Sequence, residues 1–240
     1  MKKVCILASA VLLTLGMASC ERDDTTDPNT STNPTDQSSG EWVDLGLPSG
    51  LLWATCNLGA TSPEQYGDYY VWGETSPKIV YTRETYSYGD RTGESEDYTY
   101  TLYKYNTSST YGTVDNLTTL QPSDDAATQQ LGTSARIPTK AQWQELLDNT
   151  NVEWITLNGV AGRKFTATNG NSLFLPAAGW RNDTELDETG TNGYYWSASL
   201  VDSSPTYAWY AYFNSGGETV SFNSRFLGQS VRAVRSRSQN

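Results

Sequence analysis

The sequence predicts an α+β fold in which two short helices flank small antiparallel sheets, after a disordered N-terminal segment. Three observations support this fold class. Eight Trp and sixteen Tyr among 240 residues are typical of a β-rich extracellular domain. Only two segments carry helix-capping signals. Most of the remaining chain consists of short strand-like segments separated by Gly and Asn turns.

The N-terminus is predicted to export and anchor the chain. Two lysines precede an apolar run that is shorter than the about 20 residues of a membrane-spanning helix. The segment 17–20, Met-Ala-Ser-Cys, resembles the lipobox of bacterial lipoproteins, in which the signal peptide is cleaved before an acylated cysteine. Residues 1–19 are therefore expected to be a signal peptide, and Cys20 the lipidation site. An ordinary signal peptide with an incidental cysteine is the alternative.

Residues 20–40 are predicted to form a lipidated, disordered tether, because no aromatic or aliphatic side chain follows Cys20 in this segment. Its acidic start, 21–24, resembles the surface-export signal of Bacteroidota lipoproteins, which implies an outer-membrane protein at the cell surface. A plain polar linker, which leaves a periplasmic orientation open, is the alternative. The net charge of −11 disfavours nucleic acid and anionic lipid surfaces as partners, so the acyl group is the expected link to the bilayer.

Composition excludes several kinds of enzyme. The chain has no histidine, which rules out histidine-based triads and histidine metal sites. Cys56 is the one cysteine left after Cys5 leaves with the signal peptide and Cys20 is acylated, and it is expected to be a small buried side chain rather than a nucleophile. No catalytic residue and no cofactor are predicted. A carboxylate-dependent glycan hydrolase stays open, because 27 acidic residues supply candidates without identifying any.

Residues 41–237 are predicted to form one domain. Residues 78–111 show no steady alternation and are expected to be a surface insertion. A helix is predicted from a Ser123 cap to Gly132, and a second from Thr139, whose capping box uses Gln142. Strands are predicted at 42–44, 51–54, 69–72, 154–157, 164–167 and 172–175.

Two C-terminal strands carry the clearest alternation. Residues 208–214 and 219–223 flank a Ser-Gly-Gly turn, so side chains two apart share a face. One face is predicted to pack against the core, and it comprises Trp209, Ala211, Phe213, Val220 and Phe222. The other is predicted to be displayed to a ligand, and it comprises Tyr210, Tyr212, Asn214, Thr219, Ser221 and Asn223. A solvated sheet face without a ligand is the alternative.

Several short motifs occur in order along the domain. They are WATCNLGA at 53–60, YYVWGE at 69–74, DAA at 125–127, RIPT at 136–139, LPAAG at 175–179, YWSAS at 195–199 and VRAVR at 231–235. Together they resemble the Fibrobacter succinogenes major paralogous domain family. That resemblance implies a C-type-lectin-like fold. The segment 195–235 is also similar to the variable proteins of diversity-generating retroelements, whose variable side chains bind ligand.

Carried over by position, the resemblance implies a set of ligand-binding residues. They are Asp202, Tyr207, Tyr210, Tyr212, Asn214, Ser221, Asn223 and Arg225. The function expected from these features is a surface-exposed, non-enzymatic module for adhesion to, or recognition of, an extracellular glycan or protein. An envelope glycan hydrolase and a structural or adhesin-tip subunit are the alternatives.

No metal site is predicted. The segment 180–183, Trp-Arg-Asn-Asp, resembles a calcium-lectin motif interrupted by Arg181, and the acidic residues of 183–188 are expected to form a solvated loop. Arg136 and Arg232 are expected to pair with buried carboxylates such as Glu74 or Asp125, because an unpaired buried charge is costly.

Overall fold

A computed structural model of the chain describes residues 41–92 and 99–237. The predicted signal peptide (1–19), the lipidation site Cys20 and the tether (20–40) lie outside the described residues and stay predictions. Among the described residues, no helix is long and apolar enough to cross a membrane.

Short strands dominate the described part of the chain. Two α-helices occur there, α1 (Ala126–Leu131) and α2 (Lys140–Asp148), with single 3-10 turns at Ser109–Tyr111 and Pro122–Asp124. The strands are β1 (Trp42–Asp44), β2 (Leu52–Ala54), β3 (Tyr69–Tyr70), β4 (Gly89–Thr92), β5 (Thr99–Leu102), β6 (Ala135–Arg136), β7 (Thr150–Leu157), β8 (Val160–Ala167), β9 (Ser172–Pro176), β10 (Trp180–Asn182), β11 (Glu185–Asp187), β12 (Gly193–Leu200), β13 (Tyr207–Asn214), β14 (Gly217–Ser224), β15 (Gln229–Ser230) and β16 (Val234–Arg235).

The strands form small sheets that match the α+β prediction. The largest sheet has the order β14-β13-β12-β15-β3, and a second brings the two ends of the domain together as β1-β2-β16-β6. A third sheet is β7-β8-β9, and β4-β5 and β10-β11 are two-stranded. These strand pairs are antiparallel except β12 with β15, which are parallel where Tyr195 meets Ser230. Small antiparallel sheets with two helices are therefore confirmed.

The two helices begin differently. The predicted capping box at the start of α2 is confirmed, with both Thr139–Gln142 hydrogen bonds present. The predicted Ser123 cap of α1 is wrong, because Ser123 lies in the preceding 3-10 turn. Asp125 caps α1 instead, accepting from the Thr128 amide at 3.0 Å, and its second oxygen accepts from the Ile137 amide at 2.8 Å. One buried carboxylate thus caps the helix and holds the chain leading into α2.

The β12–β13 strand pair separates two apolar cores. Because neighbouring side chains on a strand point to opposite faces, Tyr195 and Trp196 enter different cores. Trp196 packs in the core that includes Trp72 and helix α1. Tyr195 packs in the core that includes Trp143 of α2, which in turn donates its indole N–H to the Trp196 carbonyl at 3.1 Å. The central strands therefore have little freedom to shift register.

The segment 78–111 is not confined to the surface. Four side chains of this segment are almost fully buried in the protein: Tyr81, Tyr86, Leu102 and Tyr105. Tyr81 and Tyr86 donate hydrogen bonds to main-chain carbonyls of the segment 69–72, at 2.9 and 3.1 Å. The expectation of a surface insertion is wrong for these residues, because aromatic rings rather than regular alternation attach the segment to the domain.

The two arginines expected to pair with carboxylates do so only in part. Arg232 is fully buried and donates to Asn57 Oδ1 at 2.7 and 3.0 Å and to main-chain carbonyls of the segment 54–55 at 3.0 and 2.7 Å. Its expected carboxylate partner is replaced by these neutral oxygens. Arg136 donates to Gln142, and Asp125 contributes only through its charge. Glu74 instead pairs with Lys78 at 2.6 Å.

Candidate functional site

The hairpin face predicted for display is largely covered. Tyr210 is only 8% exposed, its ring stacking on Tyr194 at 5.6 Å and meeting Trp196 edge-on at 6.2 Å between centroids. Tyr212 and Asn214, further along the same face, are half-buried. The prediction that Tyr210 is displayed is wrong, because the aromatic side chains of β12 pack beside it. We call Tyr194, Tyr210 and Tyr212 the tyrosine cluster.

The polar groups around the tyrosine cluster bond to one another. The Asn214 amide donates to the Tyr212 hydroxyl at 2.8 Å, and that hydroxyl faces Asn192 Oδ1 at 3.4 Å. The Tyr194 hydroxyl donates to Glu188 at 2.5 Å. Burial raises the pKa of Tyr194, and the neighbouring Glu188 carboxylate raises it further. The cluster therefore keeps its hydrogen-bonding capacity within the fold rather than offering it to a ligand.

Two further predicted ligand residues on this face are also engaged locally. Ser221 is half-buried and lies directly opposite Tyr210 on the neighbouring strand; burial raises the pKa of Tyr210, and the Ser221 side chain acts in the opposite sense. Asn223 is half-buried, and its side-chain oxygen accepts from the Ser224 amide at 2.8 Å. Both side chains are therefore engaged by neighbours within the β13–β14 hairpin.

The opposite face of the same hairpin carries a row of aromatic rings, of which Phe222 is exposed and Tyr207 and Trp209 are half-buried. Phe222, which is 51% exposed, lies between Tyr207 and Trp209 with centroid distances of 5.7 and 5.6 Å and nearly perpendicular ring planes. Perpendicular pairs at such distances are a favourable aromatic geometry. We call these three residues the aromatic ridge. The prediction that Trp209 and Phe222 pack into the core is wrong at this end of the hairpin.

The core covers only one end of this face. Ala211 and Phe213, which follow Trp209 on the same face of β13, are buried in the core that contains Trp143. Phe213 also meets Phe165 of β8 at 6.3 Å between centroids. The alternation of the strand is therefore regular, but packing covers the Phe213 end of the face and leaves the Tyr207 end accessible.

An open cleft of about 550 Å³ lies beside Tyr207. One wall comes from the segment 78–111 and the other from residues 204–226. We call it the hydroxyl cleft; its lining residues are Arg83, Thr99, Tyr100, Thr110, Tyr111, Ser204, Thr206, Tyr207, Ser224 and Phe226. Its volume is within the usual range of small-molecule sites. The lining thus combines four aromatic residues with five serine and threonine residues.

Arg83 contributes a positive charge to the hydroxyl cleft. Its guanidinium carbon lies 5.8 Å from the Tyr100 ring centroid and 5.4 Å from that of Phe226, so it contacts one ring from each wall. Burial raises the pKa of Tyr100, although the nearby guanidinium groups act in the opposite sense. The phenol of Tyr100 therefore stays a neutral hydrogen-bonding group.

A second open cleft, of about 510 Å³, lies on the other side of the ridge. Lys140, Trp209 and the predicted ligand residue Asp202 line it, and we call it the lysine cleft. The Lys140 ammonium lies 3.2 Å from the Trp209 ring centroid, which fixes one side of that ring. Asp202 is exposed, and its main-chain carbonyl accepts from Thr107 at 2.6 Å. The structure thus places Tyr207 in the hydroxyl cleft and Asp202 in the lysine cleft. One residue of the ridge lines each cleft, Tyr207 the first and Trp209 the second.

Arg225 does not reach a ligand surface. It is 1% exposed and donates to the carbonyls of Lys104, Tyr105 and Pro205 at 2.8 to 3.0 Å, and to the Tyr86 hydroxyl at 2.7 Å. These partners belong to both walls of the hydroxyl cleft. The prediction that Arg225 binds ligand is corrected by its burial, and the residue instead joins the two segments that supply the walls of the cleft.

The acidic segment 183–188 lies in an exposed β10–β11 hairpin. Asp183 and Glu188 have positive φ angles of 52° and 60°, as expected at tight turns. Within residues 41–92 and 99–237, no group of three or more cysteine or acidic side chains is arranged to hold a metal ion. Leu186 of this hairpin is 36% exposed.

Comparison with known proteins gives one partial match. A family model described as "Domain of unknown function (DUF8237)" matches residues 147–234. That range contains the ridge and the tyrosine cluster, but not the wall of the hydroxyl cleft that comes from 78–111. No curated protein and no solved structure matches the chain.

Proposed function

We propose that this protein is a lipid-anchored, cell-surface binding module with a C-type-lectin-like fold, similar to the Fibrobacter succinogenes major paralogous domain family. It recognises an extracellular glycan or protein through the aromatic ridge and the two clefts beside it. The acyl group on Cys20 holds it to the outer membrane, and the segment 20–40 presents the domain.

One observation carries this proposal. The ridge has one exposed ring, Phe222 at 51%, and its half-buried neighbours Tyr207 and Trp209 each line an open cleft. Contiguous apolar surface marks interaction sites, and aromatic side chains are enriched where proteins bind partners. A ring held by its neighbours also loses little conformational entropy on binding. The ridge therefore combines a large contact area with a fixed geometry.

The test is a binding screen with the full-length, lipidated protein in detergent micelles. Arrays of glycans and cell-surface proteins are probed with the protein and with a Phe222→Ser variant. We expect at least one ligand, whose binding Phe222→Ser weakens about tenfold or more, the loss expected for an anchor residue. Leu186→Ser is the matched control, because it removes an exposed apolar side chain from a different hairpin.

If ligands bind equally well to the wild type and the Phe222→Ser variant, the ridge is not the binding surface. If no ligand of either class binds, the proposed function is wrong.

A glycan hydrolase is the second candidate, and the position of Asp202 in the lysine cleft is the observation that favours it. Such an enzyme usually needs two carboxylates that face each other across a cleft. Asp202 is the only acidic residue among the described residues that line either cleft. Polysaccharide turnover by the full-length protein, abolished by Asp202→Asn, would favour the hydrolase over the binding module.

A further inference from the structure

We infer that the hydroxyl cleft binds a carbohydrate chain, with at least one sugar ring stacked on Tyr207. This inference rests on the proposed binding function and assigns a ligand class to one of its surfaces. Three features support this inference: the chemistry of the lining, the contacts that join the two walls, and the position of the cleft beside the ridge.

The aromatic part of the lining suits sugar rings. Tyr100, Tyr111, Tyr207 and Phe226 line the cleft and are each only partly buried. The face of an aromatic ring carries negative partial charge, so it attracts the weakly positive C–H groups on one face of a pyranose. Rings on both walls allow a sugar to contact one wall through its C–H face while its hydroxyls point into the cleft.

The polar part of the lining suits the hydroxyl groups of a sugar. Five serine and threonine residues line the cleft, and a hydroxyl of this kind can both donate and accept a hydrogen bond. They are Thr99, Thr110, Ser204, Thr206 and Ser224. Serine and threonine are under-represented among the residues that dominate protein–protein binding energy. A cleft with five of them is therefore better matched to a polyhydroxylated ligand than to an apolar side chain of a protein partner.

Arg83 adds a positive charge beside the rings of the cleft. Its guanidinium carbon lies 5.8 Å from the Tyr100 ring centroid and 5.4 Å from that of Phe226, one ring from each wall. The charge–ring contacts also hold the side chain in one position.

The cleft is held open by buried contacts. Arg225 bonds to Lys104 and Tyr105 on one wall and to Pro205 on the other, and the Tyr207 amide bonds to the Ser204 carbonyl at 3.0 Å. Walls that are fixed before binding reduce the entropy lost when a ligand is bound. A fixed cleft is an advantage for a flexible carbohydrate, which itself loses freedom on binding.

The test measures binding of the full-length protein to defined oligosaccharides, namely hexasaccharides of glucose, mannose and galactose and a sialylated N-glycan. We expect at least one of these to bind, and Tyr207→Ala to weaken that binding about tenfold or more, equivalent to the loss of one aromatic contact. Tyr207→Phe keeps the ring and is expected to stay within about threefold of the wild type. Tyr103→Ala is the matched control, because Tyr103 is a 61% exposed tyrosine outside the cleft lining.

A second set of variants covers the case in which Tyr207→Ala disturbs folding. Thr206→Val and Ser224→Ala remove single hydroxyls and change side-chain volume little, and each is expected to weaken oligosaccharide binding several-fold, the effect of one lost hydrogen bond. If an oligosaccharide binds with unchanged affinity to these variants and to Tyr207→Ala, the cleft is not its site.

The same experiment separates this inference from the proposed function. If protein ligands bind and lose affinity in Phe222→Ser while none of the oligosaccharides binds, the binding module stands and the carbohydrate assignment is wrong. If neither oligosaccharides nor proteins bind, both are wrong.

Discussion

The two faces of the β13–β14 hairpin both carry aromatic rings, but they differ in what surrounds them. The tyrosine cluster lies beside β12, and its hydroxyls bond to Glu188 and Asn192. The aromatic ridge has its largest exposed ring, Phe222, facing solvent between two clefts. Similar side chains therefore stabilise the fold on one face and offer a contact surface on the other. The difference lies in the neighbours rather than in the residue types.

The largest expected effect compares one ring from each face. Tyr210→Ala removes an 8% exposed ring from a packed core, and we expect it to lower the free energy of unfolding by about 3–5 kcal/mol. Phe222→Ala removes a 51% exposed ring and is expected to cost less than about 1 kcal/mol. Urea denaturation followed by tryptophan fluorescence measures both. Equal losses for the two variants would contradict the distinction between the faces.

The second-largest expected effect on stability concerns Arg225, which joins the segments that form the two walls of the hydroxyl cleft. Arg225→Lys keeps the charge but cannot reach all four oxygens that the guanidinium bonds. Buried carbonyls are then left without donors, and we expect a loss of about 2–4 kcal/mol in the free energy of unfolding. Lys78→Arg, at a partly exposed ion pair, is the control and should change stability little. A stable Arg225→Lys protein that binds oligosaccharide normally would show that Arg225 does not hold the cleft.

The buried tyrosines predict a loss of stability in alkaline solution. Burial raises the pKa of Tyr86, beneath the ridge side, and of Tyr195, between the cores, so both stay protonated in the fold at pH values where the unfolded chain ionises. The unfolded state then binds fewer protons, and stability falls as pH rises above about 10. Each tyrosine lowers the free energy of unfolding by roughly 1 kcal/mol per pH unit in this range.

Urea denaturation at a series of pH values measures this slope, and tyrosinate absorbance reports ionisation. Tyr86→Phe is expected to reduce the slope, whereas Tyr103→Phe, at a 61% exposed tyrosine, is the control. A stability that stays constant between about pH 10 and 12 would contradict the prediction.

The smallest effect tests whether the tyrosine cluster is structural only. Tyr194→Phe removes the hydroxyl that donates to Glu188 at 2.5 Å, and we expect a loss of about 1 kcal/mol in the free energy of unfolding. Glu188→Gln together with Tyr194→Phe should cost less than the sum of the two single changes, because they share one hydrogen bond. Ligand binding should not change in either variant. A selective loss of binding would move the functional surface to this face.

Several parts of the fold were predictable because their signals are local. The Thr139–Gln142 capping box and the Gly132 end of α1 depend on residues within one or two turns of a helix. The strands 150–157, 160–167 and 172–176 contain the three predicted strands of that region, extended by a few residues. The cap of α1 was assigned to the wrong residue because Ser123 and Asp125 are both good caps, and a contact with Ile137 makes Asp125 the cap.

The candidate site was less predictable. Asp202 and Tyr207 do line the clefts, but Trp209 and the wall from 78–111 were not expected there, nor was Phe222 expected to be exposed beside them. One signal could have found the ridge: β13 carries aromatic side chains on both faces, and a sheet at the edge of a small domain rarely buries both completely. The Arg225 contact with the segment 104–105 had no local signal, since 120 residues separate Arg225 from Tyr105.

The sequence by itself determined the strands β1–β3, β7–β9, β13 and β14, the two helices, the alternation of β13 and the absence of histidine chemistry, because these depend on residue type and local spacing. The tertiary structure decided which end of each hairpin face is buried. Alternation specifies that side chains two apart share a face, but it does not specify where the neighbouring elements end. Trp143 and Phe165 cover the Phe213 end and not the Phe222 end, so the packed face predicted from alternation is also the face that exposes the ridge.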